Sequence, residues 1–172
     1  PGANEELSPT EKSKVIGSWP PLGILYLATI LRDQEGIEVA VLDQAAEGYS
    51  VEQAAKWVQR QSPDVLGFSA LASSGKTAAR IAEKVKETDP NITTVIGNYY
   101  ATFNDRRILT NYPQVDLVVR GEGEETTREL AQTIEKGGSL KKVHGLTFRE
   151  KGTVVTTPDR QLIENIDDLP IP

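Results

Sequence analysis

Val39-Ala40-Val41-Leu42-Asp43-Gln44-Ala45-Ala46-Glu47-Gly48 is the stretch on which the fold turns. Val39, Val41 and Leu42 form a short β-branched and apolar run, the pattern of a strand buried in an α/β sheet. The run stops at Asp43, and Gly48 closes a short loop before a helix begins. In open α/β sheets ligands bind beyond the carboxyl ends of the strands, so Asp43–Gly48 falls on an expected binding rim. An Asx turn at a strand end would explain Asp43 equally well.

Outward from this stretch, helical and strand patterns alternate. Leu22–Gln34 reads as a helix with a stripe of Leu22, Leu25, Tyr26, Ala28 and Ile30, followed by Gly36 where a C-terminal cap would sit. Glu38–Leu42 is the first strand. Ser50 caps a helix over 51–62, with Val51, Ala54, Ala55 and Val58 on one face and Trp57 at its edge. Strands then follow over 65–69, 92–96 and 116–119, separated by helices over 75–88 and near 104–111. Gly121-Glu122-Gly123 opens a last helix over 124–136. This rhythm predicts βαβ units, right-handed crossovers and a parallel sheet. From residue 144 the rhythm changes, and 145–149 and 153–157 flank Glu150-Lys151-Gly152 as a β-hairpin appended to that sheet. Residues 1–21 read as a loop, and 167–172 as an exit linker. The first helix has no strand before it, so a strand is expected upstream of Pro1, and both ends read as cuts in a longer chain. The fold class is therefore α/β, a Rossmann-like (flavodoxin-like) parallel sheet flanked by helices with a C-terminal β-hairpin.

Composition narrows the function. The 172 residues carry a net charge of −6 with no basic stripe, which argues against nucleic acid as a partner. The longest apolar run, Leu22–Leu31, is shorter than the roughly 20 residues a membrane span needs and reads as a buried helix. With no cysteine, a single histidine (His144, read as a surface or edge residue) and no carboxylate cluster at ligand spacing, neither a protein metal site nor a catalytic residue is predicted. No signal peptide is visible, and a cytoplasmic location is the default. No Gly-x-Gly-x-x-Gly or Walker pattern follows a strand, and Glu124 and Glu125 at the start of the last helix would oppose a docked phosphate.

Four loops would line one edge of the sheet: Asp43–Gly48, Ser69-Ala70-Leu71, Gly97–Thr102 and Gly121–Glu124. Each piece alone has a local reading, Ser69 as a cap and Gly97, Gly121 and Gly123 as turn glycines. Together, with Pro21-Leu22-Gly23-Ile24-Leu25-Tyr26-Leu27-Ala28, Val118-Val119-Arg120-Gly121-Glu122-Gly123-Glu124 and Asp168-Leu169-Pro170-Ile171-Pro172, the chain resembles the N-terminal cobalamin-binding domain of B12-dependent radical SAM proteins. The wider fold carries Asp-x-His-x-x-Gly, Ser-x-Leu and Gly-Gly motifs. Asp43 and Gly48 match the ends of the first, with Ala45 where the cobalt-ligating histidine would stand. Ser69 and Leu71 match the second. Gly97 matches the first glycine of the third, and Asn98 replaces the second. Tyr100 occupies a place where relatives often carry histidine.

The resemblance implies a corrinoid held by Asp43, Ala45, Gly48, Ser69, Leu71, Gly97, Asn98, Tyr100, Gly121, Glu122 and Gly123, its nucleotide tail near Ser69 and Gly97, its cobalt without a protein nitrogen below. It implies residues 1–143 as the binding domain, 144–161 as the appended hairpin, and 162–172 as a linker to a radical SAM domain bearing a [4Fe-4S] cluster and S-adenosylmethionine. The parent would be a methyltransferase acting on an unactivated carbon, or the anaerobic oxidative cyclase of bacteriochlorophyll synthesis. The stretch of chain in hand would itself catalyse nothing. A non-catalytic flavodoxin-like or receiver-like module is the alternative from another class, and a domain that kept the fold but lost the ligand is the third reading.

Overall fold

A computed structural model of the protein describes residues 20–172, so the expected N-terminal loop falls, for residues 1–19, outside the described residues. The described chain runs α1 (Leu22–Arg32), α2 (Val51–Gln61), β1 (Val65–Ser69), α3 (Gly75–Lys86), β2 (Thr93–Gly97), α4 (Tyr99–Asn111), β3 (Leu117–Val119), α5 (Glu124–Glu135), β4 (Leu146–Glu150) and β5 (Thr153–Thr156). Single-turn 3₁₀ helices lie at Leu140–Lys142 and, within the stretch read as an exit linker, at Ile166–Asp168. The strands form one sheet in the order β1-β2-β3-β4-β5. The first three are parallel, and β4 and β5 are antiparallel to their neighbours. A Rossmann-like sheet extended by a C-terminal hairpin is therefore what the chain builds.

Local chemistry accounts for the best-defined boundaries. Ser50 begins α2 with a full capping box: its hydroxyl accepts from the Gln53 N–H while the Gln53 side chain accepts from the Ser50 N–H. Such a cap stabilises a helix by about 1 kcal/mol. The neighbouring Glu52 carboxyl is held below its ordinary pKa by its own backbone N–H and then by the Ser50 hydroxyl. In the hairpin turn, Lys151 and Gly152 both take positive φ, 48° and 80°, the geometry a two-residue connection between twisted strands requires.

Register decides which side chains share a face, because strand side chains alternate and paired residues point the same way. Val65, Gly67 and Ser69 of β1 lie beside Thr93, Val95 and Gly97 of β2. Leu117 and Val119 continue that face, which is covered by Leu130 of α5 and by Val143. α1 lies alongside α5, with Leu27 against Gly123 and Gln132 bonded to Gln34. The opposite face carries Phe68, Ile96 and Val118 against Ala78 of α3 and Ala101, Ile108 and Leu109 of α4. There Leu66 meets Ala54, Ala55 and Val58 of α2.

Three expectations need correction. Glu38–Leu42 forms no strand. Ile37, Val39 and Val41 are half-buried between exposed Glu38 and Ala40, so the alternation is real. A strand, however, is defined by its ladder, and β1 pairs only with β2 among the described residues. Second, α1 is not a buried helix. Only Ala28 and Ile30 of this helix are buried, and Leu22 is 58% exposed, because among the described residues the helix packs chiefly on α5. Third, α4 begins at Tyr99 rather than near 104. The Asn98 side chain caps it, and a kink at Asn104 separates its two halves.

Candidate functional site

The carboxyl ends of β1, β2 and β3 are tied by a continuous hydrogen-bond chain. Asn98 Nδ2 donates to Ser69 Oγ at 2.9 Å, the Thr102 hydroxyl donates to the Asn98 carbonyl at 3.1 Å, and the Gly121 N–H donates to Thr102 Oγ1 at 3.0 Å. Ala70 N–H further donates to the Gly97 carbonyl. Ser69, Gly97, Asn98 and Gly121, read from sequence as one site, are thus brought together, with Thr102, the last residue of the expected Gly97–Thr102 loop, as a link not singled out from sequence.

The backbone at Asn98 has the conformation of a glycine, the residue that the Gly-Gly motif of the resemblance carries at this position. Its φ of 82° and ψ of 175° lie in a region that residues with a Cβ rarely enter, at a cost of about 1–3 kcal/mol. The side chain offsets part of this by bonding at both ends, since Oδ1 also accepts from the Tyr99 N–H at 2.6 Å.

Beside this mouth, the face that α5 covers farther along the sheet is open on β1. Val65, Gly67 and Ser69 are all exposed, and no helix among the described residues lies over them. A Cβ built on Gly67 would meet nothing within 4 Å, and one on Gly97 would meet only Val119, at 3.9 Å. The result is a shallow strip floored by glycine and ending at the Ser69 hydroxyl. Three apolar side chains on the segments leading from β1 and β2 stay in solvent: Leu71 at 53%, Tyr99 at 77% and Phe103 at 80% exposed. Tyr99 and Phe103 are one helical turn apart and share a face.

Other predicted residues sit apart. The Asp43 carboxylate accepts from the Ala45 and Ala46 N–H groups at 3.1 and 3.0 Å, which is the Asx turn of the local reading. Ala45 and Gly48 are exposed on that turn, and Gly48 takes a φ of 64°. Leu42 and Tyr49, flanking the loop, pack against the same buried cluster as Leu66 and Phe68 of β1. No hydrogen bond joins it to the other three loops among the described residues. Tyr100 turns inward: its ring approaches Gly75 so closely that a Cβ there would lie 2.6 Å from Cε1. Gly123 is the N-cap of α5 and lies against Leu27 of α1. Glu122 accepts from the Ile163 N–H at 2.6 Å, latching the chain after the hairpin.

His144 is exposed and lines a cleft of about 760 Å³ between the start of α5 and residues 159–170. None of the predicted cofactor residues lines it. Among the described residues no group of three His, Cys, Asp or Glu side chains is placed to hold a metal ion. No helix there is long and apolar enough to cross a membrane.

A glycine-floored strip ending in a polar mouth with apolar side chains beside it suits a flat, largely apolar ring carrying a polar arm. The family model of the B12 binding domain matches residues 12–131. The chain belongs to the B12-binding domain family. Cobalamin is the cofactor of this family, and beside β1 the bare Gly67 and the exposed Ser69 hydroxyl leave room and a polar group for such a molecule.

This B12-binding domain is 37% identical over 96% of its length to an uncharacterised methyltransferase of Pyrococcus horikoshii. It is 30% identical over 90% to the anaerobic magnesium-protoporphyrin IX monomethyl ester cyclase of Rubrivivax gelatinosus. It spans 36% and 29% of those two proteins, about a third of their length. Among solved structures, the cobalamin-dependent S-adenosylmethionine radical enzyme OxsB, with aqua-cobalamin and S-adenosylmethionine bound, superposes with a TM-score of 0.71. The match has 24% identity and covers 83% of this chain and 20% of OxsB. The radical S-adenosylmethionine methyltransferase TsrM of Kitasatospora setae, with cobalamin and a [4Fe-4S] cluster bound, matches with a TM-score of 0.70 at 20% identity. It covers 88% of this chain and 28% of TsrM. These two structural likenesses establish the Rossmann-like B12-binding fold.

Proposed function

We propose that this domain holds cobalamin with the nucleotide arm along the Val65–Gly67–Ser69 strip, and that cobalt receives no nitrogen ligand from the protein. The observation that carries this reading is the uncovered, glycine-floored face of β1 ending at Ser69. Ala45 supports the second part. It occupies the histidine position of the Asp-x-His-x-x-Gly motif, and a methyl group has no lone pair to donate. Asp43, its carboxylate occupied by two backbone N–H groups, shapes the turn. Leu71, Tyr99 and Phe103 supply apolar surface that excludes water beside the ring. Cobalamin, when bound, supplies a cobalt centre able to carry a methyl group, and the domain binds and orients it.

In this reading residues 1–143 are the binding domain, 144–161 its hairpin extension, and 162–172 the link to a radical SAM domain of the same chain with a [4Fe-4S] cluster and S-adenosylmethionine. The whole protein is then a cytoplasmic methyltransferase acting on an unactivated carbon. A second reading, an oxidative cyclase, is favoured by the 30% identity to the Rubrivivax gelatinosus cyclase.

Electron paramagnetic resonance of the Co(II) form, after reconstitution with hydroxocobalamin, tests the ligation. A spectrum free of axial nitrogen superhyperfine splitting is expected. Splitting from a protein imidazole or from the cofactor's own base would refute the open lower face. Failure to retain any B12 through gel filtration would refute the binding itself.

A further inference from the structure

We propose that Asn98 is a positioning residue that fixes the Ser69 hydroxyl as a hydrogen-bond donor toward the bound nucleotide arm, so the site selects a corrinoid whose arm offers an acceptor there. This rests on the cobalamin-binding reading above.

The orientation of the Asn98 amide follows from chemistry. Its one end lies 2.6 Å from the Tyr99 N–H, which can only donate, so that end must be the carbonyl oxygen. The other end, 2.9 Å from Ser69 Oγ, is therefore NH₂, which can only donate. Ser69 must then accept, and its own proton is left to point elsewhere. Among the described residues that proton has no acceptor. Ser69 lies on the face of β1 that also carries exposed Val65 and Gly67, so the free proton opens onto the strip. A benzimidazole nitrogen not bound to cobalt is an acceptor of the kind this proton would meet. The strained backbone at Asn98 is consistent with such a role, because a glycine there would remove the strain but leave Ser69 free to rotate.

Asn98→Asp keeps the shape and reverses the polarity: a carboxylate accepts, so Ser69 would turn its proton inward. Affinity of the full chain for hydroxocobalamin and for dicyanocobinamide, which lacks the nucleotide arm, is measured by absorbance titration at pH 8. The wild type, Asn98→Asp, Ser69→Ala and the double variant are compared. Asn98→Asp is expected to weaken cobalamin binding about tenfold, the worth of one hydrogen bond, with cobinamide affinity unchanged. In the Ser69→Ala background the same change should have no further effect. A tenfold loss that persists without Ser69 would instead mean charge repulsion of the phosphate and would overturn the proposal, as would unchanged cobalamin affinity in Asn98→Asp. Retention of neither corrinoid by the wild type would defeat the cobalamin reading itself, a separate outcome. Circular dichroism of each variant guards against loss of fold.

Discussion

Asn98 and Ser69 join the ends of β2 and β1 across 2.9 Å, and they do so from a backbone conformation that favours glycine. Two opposed effects meet at this position. Strain costs about 1–3 kcal/mol, while two largely exposed hydrogen bonds return about 0.5–1.5 kcal/mol each.

Replacing Asn98 separates them. Asn98→Gly loses the bonds and the strain together, so its stability should stay within about 1 kcal/mol of wild type. Asn98→Ala loses the bonds and keeps the strain, and it should be destabilised by about 1–3 kcal/mol. Urea unfolding of the two variants checks the order; equal stability would mean that the conformation at 98 is not strained.

Gly67→Leu probes the strip without touching the core. Its Cβ has nothing within 4 Å, and a strand gains little from keeping glycine, so stability should change by less than about 0.5 kcal/mol. The side chain would nevertheless fill the strip, and retention of hydroxocobalamin through gel filtration should be lost. A variant that still elutes red would place the nucleotide arm elsewhere.

Gly75→Ala addresses packing beneath the rim. The added methyl would stand 2.6 Å from Tyr100 Cε1, and that ring packs against the cluster containing Ile108 and Leu109. A ring held on several sides cannot swing clear, so a loss of about 1–3 kcal/mol is expected in thermal or denaturant unfolding. Adding Tyr100→Leu should recover part of it.

Arg120 separates a buried contribution from an exposed one. Its guanidinium donates to the Thr157 carbonyl at 2.6 Å and to Asp159 at 2.7 Å, with Asp105 3.9 Å from Nε. Its side chain is 13% exposed, whereas Asp159 is 85% exposed. Arg120→Met should therefore cost about 1–3 kcal/mol by leaving Asp105 and the carbonyl without their cation, while Asp159→Ala should cost under about 1 kcal/mol. Chemical denaturation of the pair checks the ratio, and equal losses would show that the Asp159 pair is the main contribution.

Much of this was legible in local chemistry. Ser50 marks a helix cap, Glu150-Lys151-Gly152 marks a hairpin turn, and the alternation of apolar runs set the order of helices and strands, because each of these signals lies within a few residues. Where pairing matters the reading failed. Glu38–Leu42 has a strand's alternation, but a strand needs a partner's N–H and C=O groups, and nothing within the run reveals whether they are present.

The site divides in the same way. Ser69, Leu71, Gly97 and Ala45 could be proposed as motif positions, since a motif match is a matter of residue identity. The bond from Asn98 to Ser69 spans 29 positions, the register of β1 with β2 sets which side chains share the open face, and Thr102 joins the site through Gly121, 19 positions away. Sequence alone determined which chemical groups the domain owns and which it lacks. Which of them share an edge, and which hydrogen-bonds to which, was decided only when long-range contacts fixed the neighbours of each donor and acceptor.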